Sequence, residues 1–178
     1  MVPPPPWPTP PGPIDPDQVL DNFLYYVSTP DSVTNKPDLK QVMALFDTTP
    51  KVGITNYGPQ YNDFGQVKML WRQIFFAFTD FSFEEQQFNV RLSNPAAPPP
   101  MISTQVSITG QHTGAWFAKG TKWYSPPLSD IVPDSSRMMY LDACAVFRFT
   151  PASNQIKQLS LYFDRYLMSQ HLTLPVTL

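Results

Sequence analysis

Apolar residues recur at helical spacing through the first half of the chain and then switch to alternation with polar residues. From Asp17 onward, Val19, Leu20, Phe23, Leu24 and Val27 share one helical face, with Asp15 or Asp17 available as a cap. A Pro- and Asn-containing turn over residues 29–37 leads to a second, shorter helix that starts at Asp38 and carries Leu39, Val42, Met43 and Phe46. Residues 51–57 read as a strand, ended by Gly58 and Pro59. The spacing predicts the clearest helix over 63–77. There Phe64, Val67, Trp71, Ile74, Phe75 and Phe78 form a stripe broad enough to be buried against a sheet.

After Thr79 the period changes. The segments 81–92, 101–117, 137–149 and 155–163 are rich in aromatic and β-branched residues, and the polar residues fall between them. Pro-rich turns separate the strands, and residues 166–172 close the chain as a short helix. Three helices around one early strand, followed by a meander of long strands, predict an α+β fold with helices on one face of a mostly antiparallel sheet. A strongly bent sheet of this kind can close over a helix and leave an apolar cavity.

Composition changes this picture at one end. Nine of the 22 prolines fall within residues 1–16, which predicts an extended Pro-rich arm ahead of a single domain over 17–178. Thirteen Phe, eight Tyr and four Trp supply both core and pocket wall. A net charge of −2 with no Lys/Arg cluster argues against nucleic acid, which needs a basic stripe. The single Cys144 excludes an intramolecular disulfide, and with His112 and His171 as the only histidines no metal centre is expected. No secretory signal and no membrane-length apolar run is visible, so a cytoplasmic location is the expectation.

Four segments carry a resemblance. Thr109-Gly110-Gln111-His112-Thr113-Gly114 resembles the G-T-H-x-G segment on a central strand of SnoaL-like polyketide cyclases and ester cyclases. Ala77-Phe78-Thr79-Asp80 resembles the A-F-P-D that ends their long helix. Phe147-Arg148-Phe149, followed by Gln155-Ile156-Lys157-Gln158, resembles their F-R-F … G-K-I strand–turn–strand. Asp164 to Leu172 resembles their closing D-x-x-x-L-x-x-Q-L. The matches run in the family's order. The resemblance implies an NTF2-like cone, a strongly curved sheet wrapped by three N-terminal helices around an apolar pocket. Two features depart from the pattern: residues 124–136 replace a compact hairpin, and residues 143–150 lack the histidine that many of the cyclases place there.

The same resemblance implies a site. Asp164 matches the family's closing aspartate, an acid/base group; at the mouth of an apolar pocket desolvation would suit it to be a general base. The residues alone allow another role, the N-cap of the closing helix. His112, on its strand, is the second catalytic candidate, as a neutral hydrogen-bonding or proton-relay group; beside Gly110 and Gly114 it could equally satisfy local backbone. Asp142 lies mid-strand in an apolar run and needs a partner, with Arg148 at matching parity and Arg137 five residues before it as the candidates, on this strand or the next. A grouping of Arg72, Asp142 and Asp164, like that of the related epoxide hydrolases, is a further reading. Trp116, Trp123, Tyr140, Tyr57 and Trp71 are candidate substrate-binding residues, against a plain role in the core.

These readings converge on a small-molecule enzyme performing acid/base chemistry in an apolar pocket, as cyclase, isomerase, dehydratase or hydrolase on a polycyclic or aromatic-like substrate. No cofactor is implied, since the chain has no Gly-rich phosphate loop and no metal-ligand set. The competing class is a non-catalytic ligand-binding or dimerisation module of the same fold. A homodimer fits both, because one face of a long antiparallel sheet needs cover.

Overall fold

The computed structural model describes residues 15–32, 34–54, 61–87, 90–94, 99–114, 134, 137–151, 153–164, 167 and 170. Helix α1 (Pro16–Ser28) starts at Asp15, whose carboxylate accepts a hydrogen bond from the Asp17 N–H. Pro16 occupies the first turn, where its missing N–H removes no helical bond. Helix α2 (Leu39–Ala44) is capped by Asp38, which accepts from the N–H groups of Lys40 and Gln41. The apolar pattern carries this helix to Phe46, but the chain turns at Leu45, and Phe46 opens strand β1 (Phe46–Ile54). One buried phenylalanine satisfies either periodicity. The strand therefore starts five residues before the position the sequence suggests, at 46 instead of 51. It tolerates Pro50 because it is an edge strand, with its register shifted between Phe46 and Lys51.

Helix α3 (Phe64–Ala77) begins at Asp63, which accepts from the Gln66 N–H at 2.8 Å, and buries Val67, Leu70, Trp71, Ile74, Phe75 and Ala77. Strand β2 (Phe78–Glu85) follows without a loop. The predicted strand 81–92 is divided: β2 ends at Glu85, and a three-residue β3 (Leu92–Asn94) pairs separately with the next strand. Strands β4 (Met101–His112), β5 (Met138–Phe149) and β6 (Ile156–Tyr162) complete the sheet. Its order is β1-β6-β5-β4-β2, antiparallel except for the β1/β6 pair, with β3 beside β4.

Alternation gives the sheet two unlike faces. Toward the helices, β4 buries Ile102, Thr104, Val106, Ile108, Gly110 and His112, the first five in register with Phe147, Ala145, Ala143, Leu141 and Met139 of β5. Helix α1 packs on β2, and α3 on β1 and β2. Phe23 sits at the centre, edge-on to Phe46, Trp71, Phe83 and Phe147 at centroid distances of 5.4–6.0 Å. This is the expected architecture: three N-terminal helices against a curved, mostly antiparallel sheet. The interior around Phe23 is filled by aromatic rings, so much of the aromatic excess is core.

The pairing also defines two ends. The starts of β1, β4 and β6 meet the ends of β2 and β5 at one end. The opposite end gathers the close of β4 and β6 with the start of β2 and β5, and there α3 runs directly into β2.

Candidate functional site

His112 is the last residue of β4, paired with Phe78 where α3 becomes β2. Its backbone N–H donates to the Arg137 carbonyl at 3.1 Å, and the N–H groups of Thr113 and Gly114 both donate to the Ala77 carbonyl. Gly114 is required for that approach, because a Cβ there would lie 2.3 Å from the Phe76 carbonyl oxygen. The imidazole is thereby held 5.4 Å from the Phe78 ring and is fully buried. Neither Nδ1 nor Nε2 has a hydrogen-bond partner among the described residues.

Burial pushes the His112 pKa down, and the positive charge of Arg137 acts in the same direction. The Gly114 backbone and Asp134 favour the protonated form, but the Gly114 contact falls short of hydrogen-bond geometry with either nitrogen, so burial dominates. The ring is therefore neutral near pH 7, with one nitrogen able to donate and the other to accept. Arg137 Nε lies 3.1 Å from Asp134 Oδ2 as an ion pair, without the alignment of a hydrogen bond.

Trp71, on the same side of the sheet, also carries a buried polar atom without a partner among the described residues. Its indole packs against Phe23 and Phe75, and the unpartnered atom is its Nε1 donor. Trp71 and Phe78 are seven residues apart, on one stripe leading from the core centre toward the His112 end.

The other sequence candidates lie elsewhere. Asp164 is exposed, and its carboxylate accepts from the Leu167 N–H at 3.3 Å, with Leu167 helical. That is the capping geometry, in place of the desolvated pocket mouth expected from the resemblance. Asp142 is exposed on the sheet face away from the helices, whereas His112 faces them. No arginine pairs with Asp142 among the described residues; it accepts from Gln86 Nε2 at 2.6 Å and Ser107 Oγ at 3.0 Å. The expected ion pair does not form: Arg137, five residues before Asp142, has the opposite strand parity and pairs with Asp134. Arg72 is exposed on α3, with the sheet between it and Asp142, so these two do not form a water-activating cluster with Asp164. Tyr140 is exposed on the outer face and lines no interior pocket. Tyr57, Trp116 and Trp123 lie outside the described residues, as does all of 124–136 except Asp134.

Two polar clusters at the first end were not read from the sequence. Arg91 pairs with Glu85, Asp21 and Asp17, and the buried Thr104 hydroxyl donates to Glu85 at 2.6 Å. Burial pushes the Glu85 carboxyl up, but Arg91 and Thr104 together outweigh it and leave the group below its ordinary value. Asp47 accepts from Lys157 Nζ at 2.8 Å, from the Thr49 N–H and from the Thr150 hydroxyl. Led by Lys157, these bonds hold its carboxyl well below the usual carboxylate range. The one available signal was Thr104 at a core-facing position of β4. Among the described residues no group of three or more His, Cys, Asp or Glu could hold a metal ion, and no helix is long and apolar enough to cross a membrane.

No family model matches the sequence, and no curated protein does. Solved structures match the fold. A Pseudomonas putida protein named as a polyketide cyclase is 11% identical, with a TM-score of 0.65 over 90% of this chain and 99% of its own. A SnoaL-like polyketide cyclase, so named, from Jannaschia sp. CCS1 is 12% identical, with a TM-score of 0.62 over 89% and 94%. An LEH-like epoxide hydrolase of M. tuberculosis is 14% identical, with a TM-score of 0.56 over 88% of each chain. At these identities the likeness concerns the fold: the chain is an NTF2-like cone, as its four sequence segments implied.

Proposed function

We propose that the cone takes up a small, largely apolar molecule bearing a carbonyl or hydroxyl oxygen, and that His112 performs cofactor-independent acid/base chemistry on it. One observation carries this reading: His112 and Trp71 are buried hydrogen-bonding side chains without partners among the described residues, in a mostly apolar interior. Leaving such a group unsatisfied costs about 1–3 kcal/mol, so its retention calls for a use. A neutral imidazole can donate to a carbonyl oxygen from one nitrogen and take a proton at the other. Trp71 can only donate, which suits it to orienting an oxygen. The reaction class is cyclase, isomerase, dehydratase or hydrolase, and the names of the structural neighbours agree with that range.

Asp164 enters as a cap and not as the base. That reading favours one alternative, a non-catalytic binding module, because it takes a carboxylate out of the pocket chemistry and leaves His112 to act without it. Native mass spectrometry on the purified protein, repeated with His112→Ala and Trp71→Phe, tests the proposal. Retained apolar material that both variants lose supports it; an interior that stays empty across a panel of apolar ketones and epoxides rejects it. Turnover of a bound compound that stops in His112→Gln, with binding kept, selects the enzyme over the binder. We also read the outer sheet face, with exposed Met138, Tyr140 and Tyr162, as the seat of a second copy of the chain. Sedimentation of Tyr140→Lys tests this, and an unchanged mass refutes that surface.

A further inference from the structure

An open groove lies in the helical layer, and neither His112 nor Trp71 lines it. Leu39, Lys40, Met43 and Ala44 of α2 and Phe64 and Lys68 of α3 enclose its volume of about 540 Å³. That volume falls in the range of small-molecule sites, about 300–1,000 Å³. Its floor is apolar: Met43 is buried, Leu39 is half-buried, and Phe64 keeps 37% of its surface exposed. Its charged side chains are two exposed lysines. Lys68 follows Phe64 by four residues and shares its helical face, and Lys40 adjoins Leu39.

Neither lysine forms an ion pair among the described residues. The acids nearest in sequence are engaged elsewhere. Asp38 accepts from the Lys40 and Gln41 N–H groups, and Asp63 accepts from the Gln66 N–H. The two ammonium groups thus flank an apolar trough with no carboxylate bound to either.

We propose that this groove binds a single-chain carboxylate amphiphile, its hydrocarbon chain along Leu39, Met43 and Phe64 and its carboxylate held by Lys40 and Lys68. Charge complementarity supplies the headgroup: two cations and an apolar bed match one anion on one chain. A membrane-docking face would present its apolar residues as a protruding rim, whereas here they form the floor.

The test uses the full chain with dodecanoate and with dodecan-1-ol, below their aggregation limits, followed by backbone amide NMR. Dodecanoate is expected to shift the signals of residues 39–44 and 64–68. Lys40→Gln and Lys68→Gln should each weaken it about threefold and the double variant about tenfold, as exposed charge pairs allow. Both lysines are exposed, so the variants keep the fold, and unchanged weak binding of the alcohol verifies the groove in them. Equal affinity for acid and alcohol, indifference to both lysine changes, or shifts centred on His112 would overturn the proposal. Binding that appears only with vesicles of anionic phospholipid would also overturn it, as would shifts of the same residues on dilution of the protein alone.

Discussion

The two ends of the cone handle polar groups in opposite ways. At the end where β1, β4 and β6 begin, the charged groups are matched in detail: Asp47 has a lysine, two hydroxyls and a backbone N–H, and Glu85 shares Arg91 with two aspartates while accepting from Thr104. At the other end, His112 is fully buried with neither nitrogen partnered among the described residues. Both ends are built from the same strands, so strand chemistry does not account for the difference. A fold selected for stability alone satisfies its buried polar groups or replaces them with apolar ones. The first end follows that rule. The second breaks it, and such breaches concentrate where a protein binds or reacts.

Removing the matched charge should have the largest effect. Asp47→Ala strands Lys157, Thr49 and Thr150 and is expected to cost about 2–3 kcal/mol, read as a lowered urea midpoint with unchanged slope. A loss under about 0.5 kcal/mol would mean that water replaces these bonds freely and that the two ends do not differ energetically.

His112→Leu should act the other way. It removes a desolvation penalty at little cost in volume, so stability is expected to hold or rise by about 1 kcal/mol while ligand retention is lost. The pH dependence separates the ends. The folded His112 pKa is depressed, so the unfolded chain binds the extra proton first, and stability falls as pH drops below the ordinary value of 6.5. Asp47 and Glu85 are also depressed, so their contribution is complete above their ordinary values of 3.8 and 4.5 and is lost only as pH falls below them. In His112→Leu the upper decline should vanish and the lower one remain. Denaturant melts between pH 7 and pH 3 check this, and an upper decline that survives the substitution would rule out His112 as its source.

The fold was largely legible because its signals are periodic. The alternation of β4 and β5 and the stripes of α1 and α3 each repeat over enough residues to fix a face, and Asp15, Asp38 and Asp63 all cap the helices they precede. The candidate site was legible only at His112 and Trp71. For His112, strand parity and the flanking glycines survive into three dimensions. Asp142 was misread because parity shows which residues share a face but not which face is inside. The Arg91 cluster escaped because its members come from α1, from β2 and from the turn that follows it, and no local pattern announces a pairing across seventy residues or more.

The smallest effect is expected where resemblance and geometry disagree most. Asp164 matches the closing aspartate of the SnoaL-like pattern, yet it is exposed and caps Leu167. If capping is its role, Asp164→Ala costs about 0.5–1 kcal/mol, and Asp164→Asn, which can accept the same bond, costs almost nothing. Ligand retention should stay at the wild-type level in both. A base at the pocket mouth behaves differently: the asparagine variant would keep its stability and lose turnover, because an amide accepts a hydrogen bond but takes no proton. Stability and turnover measured on Asp164→Asn therefore separate the roles. Kept stability with lost turnover would move the reactive centre from His112 alone to an Asp164–His112 pair, and would require the closing segment to leave its cap when ligand binds.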